Sequence, residues 1–322
     1  MKNKNLILGI LGIICLVLAG AVVYTAFIRQ PEAEEADAQP AEQSGGRYIT
    51  YNGKEYRRDQ NVQAMLLMGV DAESTAQVGV QTGDAGQADS LNLLILNNEE
   101  KTAKILQISR DSAVDIDVYD ESGRKVMSTE GQICLQYAFG DSREKSCRLT
   151  VQKVEELLGG IDIDSYLALT LDGIRAAVDA AGGIPITVPE DYTWIDPAFQ
   201  EGASLTLNGE QAEKYVRSRD SEALDSNQQR MERQSQFMRA LLSMLAGGGF
   251  STQELTDLYQ QMEPYMTTNL SAEELTGLAD YSFQEETETV PGEVTERDGR
   301  AWYVTDTEKV QELIIKEFFI EK

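Results

Sequence analysis

Residues 90–108 read SLNLLILNNEEKTAKILQI. Ser90 to Leu96 and Ala103 to Ile108 are apolar runs of strand length, and the polar stretch Asn97 to Thr102 between them has the length of a hairpin connection. The pattern predicts two antiparallel strands. The start of the first then lies beside the end of the second. Asp89, just before one run, and Arg110-Asp111, just after the other, would share one edge of a sheet.

Outward from this hairpin the pattern remains mixed. Ala64-Met-Leu-Leu-Met-Gly-Val70 is another short apolar run, and Asp71 follows it. Leu149 to Leu158 has helical spacing and stops at Gly159-Gly160. A second helix, Asp172 to Ala181, stops at Gly182-Gly183 and precedes a strand, Ile184 to Val188. Asn208 and Gln211 have capping-box spacing at the start of a further helix, and Gln228 to Ala246 is the longest helical stretch. Helical pieces over 251–263 and 271–281, a strand near Ala301–Val304 and an amphipathic helix from Thr307 complete the chain. Strands and helices mix without regular βαβ alternation. An α/β fold with a mixed central β-sheet flanked by helices fits this better than a Rossmann or barrel architecture.

The chain has 322 residues, with 28 Lys plus Arg against 54 Asp plus Glu and a formal charge of −26. Such a field opposes nucleic acid or an anionic membrane surface, so any anionic ligand must be held by local arginines or a divalent cation. Histidine is absent, which removes Ser-His-Asp and Cys-His nucleophile systems and His-based zinc sites. Three cysteines, one of them Cys15 in an apolar run, are too few for a four-thiolate metal site.

Leu6 to Ile28 is 23 residues without a charge, enough to span roughly 30 Å of bilayer as a helix. Lys2 and Lys4 precede it and the first acid, Glu32, follows it, which places the N-terminus in the cytoplasm and the rest outside. A cleaved signal peptide would carry a shorter apolar stretch and a small-x-small site. The predicted organisation is a cytoplasmic tail (1–5), a transmembrane helix (6–28), an acidic extracytoplasmic linker (29–60) and an α/β domain (61–322). Within that domain 62–245 is the motif-bearing core and 246–322 a C-terminal extension.

Four local features could carry chemistry. Asp89 and Asp111 at one sheet edge, with Asp71 at the end of a neighbouring strand, could hold Mg²⁺, which prefers oxygen ligands and shares them with substrate phosphates. Solvated turn residues are the alternative. Arg217 and Arg219 point the same way if the backbone between them is extended and would clamp a phosphate; continued as helix they diverge by about 200° and merely complement the dipole. Arg230 and Gln234 flank the apolar stripe of Met231, Met238, Leu242 and Leu245, where they could line a cleft or snorkel. Arg233 projects farther out, and it too is a candidate for substrate binding. No Gly-rich loop followed by Lys and Ser/Thr supports a nucleotide-hydrolysing site.

The order of the motifs is itself informative. Met65-Leu-Leu-Met-Gly-Val-Asp71, Ala88-Asp-Ser90 and Ile108-Ser-Arg-Asp-Ser112 resemble the LytR-CpsA-Psr family of cell-wall glycopolymer transferases. So do Ile161-Asp-Ile-Asp-Ser-Tyr166, Gly182-Gly-Ile-Pro-Ile-Thr-Val188, Leu207-Asn-Gly-Glu-Gln-Ala212, Tyr215-Val-Arg-Ser-Arg219 and Arg230-Met-Glu-Arg-Gln234. The resemblance implies a membrane-anchored phosphotransferase using Mg²⁺ or Mn²⁺. It would take a glycopolymer from a polyprenyl-pyrophosphate carrier and attach it to peptidoglycan through a phosphodiester. Asp89 and Asp111, with Asp71 less firmly, would hold the metal. Arg110, Arg217, Arg219, Arg230 and Gln234 would hold the pyrophosphate, and an apolar groove beside them the lipid.

Two positions depart from the family pattern. Gln87 stands where an Arg is usual, and Asn227 where an Asp is usual. They keep open a binding-only envelope protein, a scaffold or sensor, as the alternative. Cys134 and Cys147, thirteen residues apart and outside the apolar segment, are expected to form a disulfide worth roughly 3 kcal/mol in the chain-entropy model, against the alternative of two free thiols.

Overall fold

The computed structural model describes residues 48–72, 82–83, 85–219, 226–246 and 259–322. The expected membrane span lies outside them. No helix among the described residues is long and apolar enough to cross a membrane.

The polar stretch with aromatic residues before residue 61, which the sequence leaves open between linker and domain, is folded. Tyr48–Tyr51 (β1) and Lys54–Arg58 (β2) form a hairpin in which Ile49, Tyr51 and Tyr56 are half-buried. Residues 48–58 are therefore a β-hairpin rather than linker, their aromatic and aliphatic side chains alternating as a half-buried strand requires. The chain continues through β3 (Val62–Val70), β4 (Ala88–Asn97), β5 (Thr102–Ile108), β6 (Ala113–Tyr119) and β7 (Lys125–Gln132). After a 3₁₀ segment at Ile133–Phe139 come α1 (Arg143–Leu157), β8 (Ser165–Thr170), α2 (Leu171–Ala180), β9 (Ile184–Thr187) and β10 (Ser204–Leu207). Then follow α3 (Gly209–Arg217), α4 (Ser226–Ala246), β11 (Met266–Thr268), α5 (Ala272–Gly277) and β12 (Ser282–Thr289). The chain closes with β13 (Gly292–Arg297), β14 (Arg300–Thr305), α6 (Thr307–Phe318) and β15 (Phe319–Glu321).

The central sheet is mixed, in the order β11-β8-β3-β4-β5-β12. Its middle is the expected hairpin: β4 and β5 are antiparallel, with Leu91 opposite Ile108 and Asn97 opposite Thr102. β3 runs antiparallel to β4 and parallel to β8, and β12 joins β5 in parallel. The C-terminal residues are thus no appendage. They supply both edge strands of this sheet, and β15 pairs with β2.

Side chains alternate across the sheet, and both faces are apolar. Leu66, Met68, Leu93, Ile95 and Leu106 pack against Val154 and Leu158 at the end of α1, Ile133 and Tyr137 of the 3₁₀ segment, and Ile314 and Phe318 of α6. Met65, Leu94 and Ile105 face the other way, toward Ala177 of α2, Leu275 of α5 and Met238 of α4. The capping box of α3 forms as its spacing predicts: Asn208 Oδ1 accepts from the Gln211 amide, and Gln211 Oε1 accepts from the Asn208 amide. Gly182 and Gly183 end α2 with φ of 75° and 101°, which glycine adopts without strain.

Candidate active site

The sheet edge at which β3 and β5 end and β4 begins holds the site. Gly69 pairs with Ser90 and Val70 with Ala88, so Asp89 is the extra residue of a β-bulge. A bulge bends the strand and re-aims a side chain, and here it accompanies the turning of Asp89 toward two arginines. Gly69 eases this crossing: a Cβ there would sit 3.0 Å from that of Ser90, which would have to give way.

Arg110 makes a close ion pair with one oxygen of Asp89, and Arg230 of α4 lies 3.6 Å from the other. Arg110 also donates to Gln87 Oε1 at 2.7 Å and to Cys134 Sγ at 3.0 Å. Arg230 donates to Asn227 Oδ1 at 2.6 Å. The two positions that depart from the family pattern therefore serve as neutral acceptors for the arginines. Asp111 lies deeper, 4% exposed, with one oxygen 3.5 Å from Arg110 Nε and accepting from Gln132 Nε2 at 3.0 Å. Burial pushes its carboxyl above the ordinary carboxylate value, while Arg110, Arg219 and Arg230 pull it down. Burial also lowers Arg230 to about 10, and Arg219 adds to that by like-charge repulsion. Arg219 thus lies within electrostatic reach of both. The Nε groups of Arg110 and Arg230 are buried without a hydrogen-bond partner, that of Arg110 facing Asp111.

Helix α3 ends at Arg217, and Ser218 has φ −62° and ψ 140°, so the backbone leaves the helix in extended form. That is the conformation the clamp reading of Arg217 and Arg219 requires. Arg217 is exposed, 3.2 Å from Glu213 and 3.3 Å from Asp71. Glu213, buried, is also gripped by Arg175. Glu213 belongs to none of the charged motifs legible in the sequence, although its spacing four residues before Arg217 is the standard helical pair.

Arg233 is the clearest correction among the arginines. Instead of projecting outward it is 1% exposed, stacked on Tyr192 at 4.9 Å, because the turn between β9 and β10 covers that side of α4. It donates to the carbonyls of Tyr215 and Ser218, while Gln234 Nε2 donates to the Val216 carbonyl at 3.0 Å. These are carbonyls at the C-terminal end of α3, where acceptors lack helical partners. Arg233 and Gln234 therefore fasten the segment that carries Arg217 and Arg219.

Beside the charged cluster lies a cavity of about 260 Å³ between the sheet and the helices. Met65, Leu67, Leu94, Leu167 and Leu169 line it on the sheet side and Ile174, Phe237 and Met238 on the helix side. Asp71, Asp89, Arg217, Arg230 and Gln234 contribute polar groups to its wall.

The donor set bears on a divalent ion. Among the described residues no group of three or more acidic or thiol side chains is placed to hold a metal. Both oxygens of Asp89 already face guanidinium groups. A divalent ion here would need phosphate oxygens and water to complete its shell.

The expected disulfide is not formed. Cys134 and Cys147 are both free and buried. Cys134 lies against Arg110 and Cys147 against Tyr137, and burial raises their thiols to about 11 and about 12.

Comparison with known proteins converges on one family. The sequence model of the LytR_cpsA_psr family matches residues 22–317. The chain is 28% identical over 212 residues to the polyisoprenyl-teichoic acid–peptidoglycan teichoic acid transferase TagU of Bacillus licheniformis, covering 66% of this chain and 61% of the relative. To the TagU of Halalkalibacterium halodurans it is 30% identical over 183 residues, 57% of this chain and 53% of that protein. The matched region thus spans only about half to six-tenths of those two relatives. A solved structure of TagT bound to LIIa-WTA superimposes with a TM-score of 0.59 at 26% identity, over 80% of this chain and 89% of the other.

Proposed function

The chain belongs to the LytR_cpsA_psr family, and on that premise we propose that it moves a glycopolymer from a polyprenyl-pyrophosphate carrier to peptidoglycan. The observation that carries this reading is the placement of an arginine–carboxylate cluster on the wall of an apolar cavity. Such a site matches a ligand that is a lipid at one end and a pyrophosphate at the other. The prenyl chain would occupy the cavity between the sheet and α4. The phosphates would meet Arg217, Arg219 and Arg230, with Arg110 behind Asp89.

An acceptor hydroxyl oxygen bonds to the sugar-side phosphorus, the bond from that phosphorus to the bridging oxygen breaks, and polyprenyl phosphate leaves. The hydroxyl proton passes to a carboxylate of the cleft, and Asp71, which shares the cavity wall with Asp89 and pairs with the exposed Arg217 rather than with Arg110 and Arg230, is placed to take it. Guanidinium groups stabilise the charge that develops on the phosphoryl oxygens. Mg²⁺ or Mn²⁺, held by Asp89 and Asp111 together with phosphate oxygens, would supply further charge neutralisation. The uncharged segment 6–28 would anchor the chain, with the domain outside the cell membrane. Gln87 and Asn227 favour a second reading, a binding-only envelope protein, since each replaces a charge with an amide.

Product analysis of the full chain with a lipid-pyrophosphate glycan, with and without peptidoglycan fragments, separates these readings. Transfer predicts a glycan–peptidoglycan phosphodiester and free polyprenyl phosphate only when the acceptor is present. Release without acceptor would indicate a pyrophosphatase, and binding without turnover a scaffold. Arg217→Ala or Arg219→Ala should weaken carrier binding about ten- to a hundredfold, as expected for a lost charge-assisted contact.

A further inference from the structure

Trp194 is 52% exposed in the turn between β9 and β10. The turn that presents it has a firm base. Tyr192 and Phe199 are buried and pack edge-on against Tyr215 of α3, with ring centroids 6.0 and 5.3 Å away. The Tyr192 amide donates to the Phe199 carbonyl and the Ile195 amide to the Tyr192 carbonyl. A single exposed aromatic is ordinary on a protein surface; the position of this one is not. The Arg233 guanidinium carbon lies 5.9 Å from the Trp194 ring, and the same guanidinium donates to the carbonyl of Ser218, between Arg217 and Arg219. The indole is one side chain removed from the phosphate clamp.

We propose that Trp194 is a stacking platform for a pyranose ring next to the pyrophosphate. A pyranose has a face of C–H groups that packs on an aromatic ring and a rim of hydroxyls that needs acceptors. Indole supplies a large rigid face. That sugar comes either from the donor, bonded to the pyrophosphate, or from the glycan strand of the acceptor. The inference rests on the transferase reading.

The chain contains two tryptophans, so in a Trp302→Phe background fluorescence reports Trp194 alone. The full chain is titrated with sugar-free polyprenyl pyrophosphate, with the same carrier bearing a disaccharide, and with a peptidoglycan tetrasaccharide. In Trp194→Ala, binding is followed by calorimetry, and an unchanged melting temperature checks its fold. The sugar-free carrier should bind equally with and without Trp194. At least one sugar-bearing ligand should perturb the indole and bind about tenfold more weakly to Trp194→Ala, the loss expected for a single aromatic hot spot, with Trp194→Phe in between. A loss confined to the carrier assigns the donor sugar; one confined to the tetrasaccharide assigns the acceptor. Equal affinity of both proteins for both sugar ligands overturns the platform. Failure of the sugar-free carrier to bind either protein strikes instead at the transferase reading.

Discussion

The two faces of the central sheet are built from the same few strands and the same residue types, yet only one is filled. Leu66 and Leu93 show no exposed surface beneath α1, α6 and the 3₁₀ segment. Leu67, next in sequence to Leu66, points to the opposite face and lines the cavity of about 260 Å³. On the first face apolar side chains hold the fold together. On the second they form a container, with the arginines and carboxylates set along its wall. Identical strand chemistry thus serves stability on one side and ligand binding on the other, according to what covers it.

Leucine truncation is the bluntest way to break this comparison. Leu66→Ala should lose roughly 2–5 kcal/mol, because it leaves a new void in a close-packed core. Leu67→Ala should lose only about 1 kcal/mol, because part of its side chain already borders a void. Chemical denaturation of both variants checks this, and equal losses would mean that the faces do not differ.

Filling the cavity sharpens the contrast from the other side. Met238→Trp should reduce carrier affinity by about tenfold or more while changing stability by no more than about 1–2 kcal/mol. A titration with polyprenyl pyrophosphate beside a thermal melt provides both readings. Unchanged affinity would place the lipid elsewhere.

The smallest expected effect lies at the charged edge and depends on pH. Burial holds the folded Asp111 carboxyl above its ordinary value of 3.8. Its contribution to stability is therefore full below that value and is lost as pH rises through the raised folded value. Asp111→Asn cannot ionise. Its denaturation midpoint relative to the parent should rise from pH 3.8 upward and then level off. A constant difference would show that Asp111 titrates alike in both states.

The hairpin at 90–108 was legible because two strand-length apolar runs flank a polar hairpin-length link, and from it the shared edge of Asp89, Arg110 and Asp111 followed. The helix carrying Arg217 was legible through its capping box. The bulge at Asp89 was not, because a register shift depends on the partner strand. The cavity was hidden for a related reason: an apolar run buried on both faces does not reveal which face is left open. Arg233 misled because helical projection cannot see the turn bearing Tyr192 and Trp194 that covers it. The cysteine pair misled because sequence spacing says nothing of side-chain direction.

The most direct test of the central claim is a crystal structure of the protein with farnesyl pyrophosphate. The prenyl chain should lie between Leu67, Leu169 and Met238, with the phosphates contacting Arg217, Arg219 and Arg230 near Asp89. A prenyl chain outside this cavity, or phosphates held by none of these arginines, would contradict it.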